Sequence, residues 1–224
     1  MIDVTATAPP VIAIDGPSAS GKGTIAQEVA RRLRFHYLDS GALYRLIGLV
    51  AVRRGQDLEN ESDLSDIALS LNVKFVGDRI ELEGLDVTND IRTQDIGDAA
   101  SRVAALPGVR AALLARQRAF RQAPGLVADG RDMGSVVFPD AVLKIYLNAS
   151  PEERARRRHK QLMEKGMNAS MDALLREIRE RDARDSARAV SPLQKCAEAI
   201  ELDTTGMPIE AVVTQVLSQY QCAQ

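Results

Sequence analysis

Five short stretches along the chain read as strands, 11–15, 35–38, 126–132, 141–147 and 199–203, the first of them opening on a continuous apolar run from Val11 to Ile14. Runs without alternation suit strands covered on both faces, as in a parallel sheet whose crossover connections are helices. The stretches between them carry the helical period. Ile25, Val29, Ala30 and Leu33 stripe residues 24–34, with Arg31, Arg32 and Arg34 near the C-terminal end, where cations suit the helix dipole. Further stripes predict helices at Leu64–Ile67–Ala68–Leu71, over 95–104, over 109–121 through Val109, Leu113, Leu114 and Phe120, and over 209–220. Pro107-Gly108 is read as a break before the 109–121 helix, and Ser150 followed by Pro151 as an N-cap and first helical residue.

The period changes between 60 and 104. Residues 73–76 and 79–83 alternate around Gly77-Asp78, a hairpin signal, because such a turn needs positive φ values. A small antiparallel element inside a βα pattern is an insertion into the sheet fold. The predicted architecture is therefore α/β and three-layered: a central five-stranded parallel sheet, an inserted small antiparallel β element and a helical lid, all in one domain over 1–224. A chain of that length buries roughly 70 % of its unfolded surface, enough for one substantial core.

Charge narrows the function classes. The 29 basic and 31 acidic residues leave −2, and four Phe, four Tyr and no Trp offer few stacking platforms, which argues against a nucleic-acid partner. Cys196, Cys222, His36 and His159 are too few and too scattered for a zinc site of familiar spacing. Residues 1–10 lack a basic patch followed by an apolar core, and no run reaches 18 apolar residues. Neither export nor a membrane partner is signalled, and a reducing cytoplasmic location follows by default.

The chemistry concentrates at strand ends. Gly16-Pro17-Ser18-Ala19-Ser20-Gly21-Lys22-Gly23-Thr24 follows the first apolar run and opens the first helix. In that context G-x-x-x-x-G-K reads as a phosphate loop: its glycines aim amide N–H groups inward, the helix adds its positive end, and Lys22 reaches the phosphates. Gly23 stands where the common motif has a magnesium-binding Ser or Thr, and Thr24 comes one place later. The second run delivers Asp39-Ser40-Gly41-Ala42-Leu43-Tyr44-Arg45. Ser40 either caps the following helix or, with Tyr44 at i+4 and Arg45 beside it, faces a second ligand and grips its phosphate. The third run ends in Asp129-Gly130-Arg131-Asp132, where a buried carboxylate at a strand end suits the orientation of magnesium-bound water.

Residues 150–188 form two arginine-rich helices joined at Lys165-Gly166-Met167-Asn168. The i,i+4 pairs Glu177–Arg181 and Glu180–Arg184 are worth only ~0.3–0.5 kcal/mol each. Stability is a poor reason for so many arginines; cover for a triphosphate is a better one.

The G-K-G-T ending resembles that of nucleoside monophosphate kinases. Together with L-D-S-G-A-L-Y-R at 38–45, A-D-G-R-D-M-G at 128–134 and R-D-x-R-D at 181–185, it resembles the bacterial cytidylate kinases over almost the whole chain. The 60–104 insertion matches that family's enlarged acceptor region within 40–105, and Ala19 replaces a frequent loop glycine, a change expected to cost little because alanine is small. The resemblance implies transfer of the γ-phosphoryl group of ATP to CMP or dCMP, with Mg2+ held through phosphates and water; the strand-end reading adds Asp129 as a candidate for that metal and for the CMP site, and a monomer is expected. The resemblance further implies that Lys22 and Thr24 hold the donor, and that Ser40, Arg45, Arg131 and Arg188 grip the acceptor phosphate. Tyr44 and Asp185 would approach the sugar, Ser101, Arg110 and Asp132 would read cytosine, and Arg157, Arg158, Arg181 and Arg184 would serve the lid and transfer site.

Three other readings share parts of the pattern. A kinase for UMP, AMP or shikimate uses the same loop but not the Ser101, Arg110 and Asp132 set. A nucleotide-dependent switch protein should carry N-K-x-D, and no Asn here precedes Lys. An RNA-binding protein using residues 154–160 is opposed by the charge balance.

Overall fold

The computed structural model describes residues 8–77, 79–164 and 166–223. Five strands, β1 (Val11–Asp15), β2 (His36–Asp39), β6 (Leu126–Gly130), β7 (Leu143–Asn148) and β8 (Ile200–Asp203), form one parallel sheet in the order β2-β6-β1-β7-β8. The central strand β1 is buried at every position, as its unbroken apolar run requires. Helices cover both faces. On one, α1 (Lys22–Leu33) and α8 (Ile209–Cys222) pack Ile25, Val29, Val212 and Val216 against Ile12, Ile14 and Ile145. On the other, α2 (Ser40–Arg53), α3 (Glu61–Ser70), α4 (Gln94–Val103) and α5 (Pro107–Arg118) enclose a larger core around Leu43, Leu46, Ile47, Leu64 and Leu113.

The parallel register brings three strand ends together. Ile14 lies opposite Asp129, Asp15 opposite Gly130, and Asp39 opposite Asp129. Loops at the carboxyl ends of such strands form the ligand crevice of open α/β sheets. The phosphate loop therefore lies beside the 129–132 turn, although more than a hundred residues separate them in the chain.

The inserted element is a three-stranded antiparallel sheet in the order β3 (Val73–Val76), β4 (Arg79–Leu82), β5 (Leu85–Asp86). Its first hairpin pairs where expected, with Gly77 at φ 58, but only β4 alternates between buried and more exposed positions, while Lys74, Phe75 and Val76 of β3 are all exposed; Asp78 lies outside the described residues. The short third strand, set by the turn at Glu83 and Gly84, both at positive φ, was not part of the expectation because two residues carry no period. α6 (Pro151–Glu164) and α7 (Met171–Ser186) pack on each other through Ala155, Leu174 and Ile178, a small core of their own.

Several local expectations change. Pro107 does not break the chain; it is the first residue of α5, where its missing N–H costs nothing. Glu177 and Glu180 do not pair with Arg181 and Arg184. Instead α7 reaches outward, with Arg179 on Glu152 at 2.8 Å and Arg184 on Asp98 of α4 at 3.3 Å. Ala19 adopts φ 58, a left-handed conformation that favours glycine for its backbone freedom, so the size of alanine is not the relevant quantity.

Candidate active site

Gly16 shows why the phosphate loop needs its first glycine. A Cβ there would lie 2.1 Å from the carbonyl oxygen of Leu147, so only hydrogen fits. The loop runs from there into α1, whose N-cap, Gly21, is left-handed at φ 90 and leaves the first-turn amides free. Lys22 curls back and donates to the carbonyl of Pro17 at 3.1 Å. Its ammonium is pushed down to about 7 by burial and by Arg131, with Asp129 and Asp39 opposing the shift. A lysine in that condition is short of anions.

Beside it, Asp129 accepts a 2.6 Å hydrogen bond from the Tyr37 hydroxyl. Burial, then the neighbouring Asp39, pushes its carboxyl up to about 7. Gly23 keeps this corner open, since a Cβ there would stand 3.3 Å from Asp129 Oδ2. A Ser or Thr at 23 would crowd the carboxylate.

The two readings of Ser40 are separated by Asp39. Asp39 is the N-cap of α2, accepting the Ala42 N–H at 3.0 Å, and Ser40 is the first helical residue. The buried Ser40 hydroxyl is free of capping and lies against Gly130, where a Cβ would come within 2.6 Å of it. One turn on, Arg45 donates to the carbonyl of Ile91 at 2.8 Å, and Tyr44 carries the Arg110 guanidinium over its ring, 5.8 Å from the centroid.

These groups line one cavity of about 240 Å³. Ser18, Ala19, Lys22, Gly23 and Asp129 form one end; Ser40, Tyr44, Arg45, Ser101, Arg110 and Asp132 form the other. Arg131, Arg181, Asp185 and Arg188 lie between. The second end is internally paired. Arg110 binds Asp132 and the carbonyl of Ala104. Asp185 accepts from Ser101 at 3.1 Å, Arg131 at 3.2 Å and Arg188 at 2.5 Å. Arg181 is different: its Nε is buried without a hydrogen-bond partner among the described residues. Burial, and the like charges of Arg131 and Arg45, lower its guanidinium to about 10.

Other expected site residues lie outside the cavity lining. Gly16, Pro17, Ser20 and Gly21 support the loop from behind, and Thr24 is solvent-exposed. Arg157 is committed to the back of the loop: it donates to the carbonyls of Ser20 at 2.8 Å and Thr204 at 2.6 Å and to Glu153 at 3.0 Å. Arg158 reaches Gln94 at 3.4 Å and Arg184 reaches Asp98, both on α4. Arg154, which composition alone reads as one more basic residue, is a buried link. It joins the carbonyls of Ala149 and Ser18 to both carboxylate oxygens of Asp182 on α7.

The donor set also bears on metals. Among the described residues no three His, Cys, Asp or Glu side chains converge as a metal cage. Asp129 beside an open glycine corner and a lysine fits a hard cation whose remaining ligands are phosphate and water oxygens.

A glycine loop at the mouth of a parallel sheet, with a lysine and arginines crowded above it, defines the class: an α/β protein of the phosphate-loop type, built to handle polyphosphates. The family model for cytidylate kinase matches residues 12–222, and the chain belongs to the cytidylate kinase family. It is 59% identical over 211 residues to the cytidylate kinase of Nitrosomonas europaea, covering 94% of this chain and 95% of that one. It is 58% identical over 222 residues to that of Bordetella pertussis, covering 99% of each chain. With the cytidylate kinase of Pseudomonas aeruginosa UCBPP-PA14 the identity is 61% over 214 residues, 93% of each. A crystal structure of an uncharacterized protein from Eubacterium ventriosum ATCC 27560 superposes with a TM-score of 0.50, covering 95% of this chain and 98% of that one. At 11% identity it speaks for the fold alone.

Proposed function

We infer that this protein transfers the γ-phosphoryl group of ATP to CMP or dCMP, giving ADP and CDP or dCDP within pyrimidine nucleotide metabolism. The observation that carries the reading is the two-ended cavity, with an anion-short loop at one end and a paired, buried polar set at the other. The acceptor phosphate is already an anionic nucleophile. One of its oxygens bonds the γ-phosphorus as the bond from that phosphorus to the β–γ bridging oxygen breaks, and no side chain need remove a proton.

The work of this chain's residues is therefore positioning and charge cover. Lys22 and the loop amides hold the donor's β- and γ-phosphates. Ser40, Arg45, Arg131 and Arg188 hold the acceptor phosphate, with Tyr44 and Asp185 toward the sugar. Arg181 lies between the two ends and takes up the charge of the transferring group. At the far end the exocyclic amine of cytosine donates to Asp132 or Ser101, and ring N3 accepts from Arg110. Uracil reverses both preferences, and each buried group left unpaired costs roughly 1–3 kcal/mol. Asp129, with phosphate and water oxygens, would hold a magnesium ion, which would supply neutralising charge to the donor phosphates.

Within the single domain we assign residues 40–105 to the acceptor region, with 60–104 as its insertion. Residues 150–188 form the lid, whose Arg158 and Arg184 already touch α4 and whose closure excludes water. Arg157 serves by holding the loop. We assign the protein to the cytoplasm as a monomer; no helix among the described residues is long and apolar enough to cross a membrane.

The test is ADP release from Mg·ATP with CMP, dCMP, UMP, AMP, GMP or shikimate offered in turn, beside a control without acceptor. Turnover with CMP and dCMP and a silent control is the expected result. Preference for UMP or AMP would overturn the base-reading assignment, and turnover only in the control would replace a kinase with a nucleotide-driven switch.

A further inference from the structure

Asp132 is at the N-cap of a π-helical turn, Met133–Val137, yet it makes no capping bond. Aspartate at an N-cap ordinarily accepts the N–H groups of its own first turn. Here its carboxylate goes to Arg110 instead. The orphan amides are taken by a residue from another strand: Asp15 Oδ1 accepts the Met133 N–H at 2.8 Å and Oδ2 accepts the Gly134 N–H at 2.9 Å.

Asp15 is a costly residue for the end of a buried strand. Only 7 % of its surface is exposed, and burial pushes its carboxyl up to about 6 in spite of both hydrogen bonds. It is also joined by one peptide bond to Gly16, the start of the phosphate loop. A single side chain thus ties the turn carrying Arg131 and Asp132 to the donor loop.

We propose that Asp15 is a positioning residue for acceptor choice: by capping the 133–137 turn from β1, it frees the Asp132 carboxylate for Arg110 and the cytosine edge and registers both against the phosphate loop. The proposal rests on the acceptor reading of Arg110 and Asp132 given above. Asparagine at 15 keeps one acceptor and turns an NH2 toward the second amide. Asp132, already at the N-cap position of that turn, is then drawn to cap it and away from Arg110.

The experiment is steady-state kinetics of Asp15→Asn with CMP, UMP and ATP varied separately. The KM for CMP should rise about tenfold or more, as expected from losing one buried polar contact. The CMP-over-UMP preference should shrink, while the KM for ATP stays within about twofold. The same substitution made in an Asp132→Ala background should add little, because Asp15 acts through Asp132. Equal shifts in all three KM values, or an unchanged CMP-over-UMP ratio, would overturn the proposal and leave Asp15 a stability residue. Should Asp15→Asn fail to fold, amide hydrogen exchange on the unaltered enzyme decides the matter. Met133 and Gly134 should exchange slowly without ligand and change less than about threefold with CMP; fast exchange in the free enzyme overturns the idea. If Asp132→Ala itself leaves CMP use intact, the base-reading assignment fails first; if it raises the KM while Asp15→Asn does not, only the present proposal fails.

Discussion

The two ends of the cavity are built on opposite electrostatic plans. At the acceptor end Arg110 already holds Asp132, and between the ends Asp185 holds Arg131 and Arg188, while Arg45 has only the carbonyls of Ile91 and Thr93. At the donor end Lys22 hydrogen-bonds only a backbone carbonyl, and between the ends Arg181 has a buried Nε without a hydrogen-bond partner among the described residues. Paired buried groups keep their geometry without ligand and penalise an ill-matched base, which suits selection. Buried cations that no carboxylate hydrogen-bonds are held at a cost that a polyphosphate removes, which suits binding and transition-state cover. Substitutions at the two ends should therefore differ in kind.

The largest effect is expected at the donor end. Lys22→Ala should lower turnover at least about 10²-fold, the scale for losing one preorganised charge contact in a transition state. Because the ammonium is held below its ordinary range by burial, removing it should leave the melting temperature unchanged or raised. Thermal melts beside the kinetics check both halves; near-normal turnover in a folded variant would remove Lys22 from the mechanism.

Substitutions at the acceptor end should cost both selection and stability. Arg110→Ala or Asp132→Ala leaves the other charge buried, and breaking such a pair costs roughly 3–5 kcal/mol of folding free energy. Each should raise the KM for CMP far more than that for ATP, and melt earlier. An unchanged CMP profile with a lowered melt would make the pair purely structural.

The same contrast explains which features could be read along the chain. Strands, helices and the phosphate loop are local: their periods and glycines lie within ten or so residues, and all five central strands overlap the stretches that predict them. Gly16 and Lys22 are legible because a loop around phosphate needs those residue types at that spacing. Pairings across the chain are not. Nothing in the period of α5 singles out Arg110 from Arg116 or Arg118, since its partner is 22 residues away on another element. Arg154 looks like any member of a basic run until Asp182 and Ser18 are brought to it. Asp15 looks like a polar strand end, and Arg157 looks like a lid residue although its hydrogen bonds hold the loop and Thr204.

A smaller effect follows from protonation at the donor end. Lys22 has a folded-state pKa of about 7 against 10.5 for the free side chain, so between those values the unfolded chain holds the proton that the folded one lacks. Its contribution to stability therefore rises with pH through that window and is flat below it. Polyphosphate restores the missing counter-charge and raises the pKa again. Binding of ATP at pH 8 should then take up as much as about one proton, and less near pH 6. Calorimetry in buffers of different ionisation enthalpy measures the uptake directly, and Lys22→Met should abolish it. Binding of ATP at pH 8 with no proton exchanged would mean that the crowding at this end is relieved in some other way than by Lys22.

The smallest effect concerns the loop itself. Ala19 holds φ 58, a conformation that costs an L-residue roughly 1–2 kcal/mol more than glycine. Glycine at 19 removes that strain but widens the unfolded ensemble by about 0.4–1 kcal/mol, so the net gain in stability should be no more than about 1.6 kcal/mol. The interest lies in where the change is felt. Ala19 lines the donor end beside Lys22 and Gly23, and relaxing its backbone loosens the amides aimed at phosphate without touching Arg110 or Asp132. Ala19→Gly should therefore raise the melting temperature by no more than about 6 °C, shift the KM for ATP by less than about threefold, and leave the KM for CMP where it is. If the KM for CMP moved as far as that for ATP, the two ends could not be treated as separately built, because strain in the loop would be reaching the base-reading pair through β1.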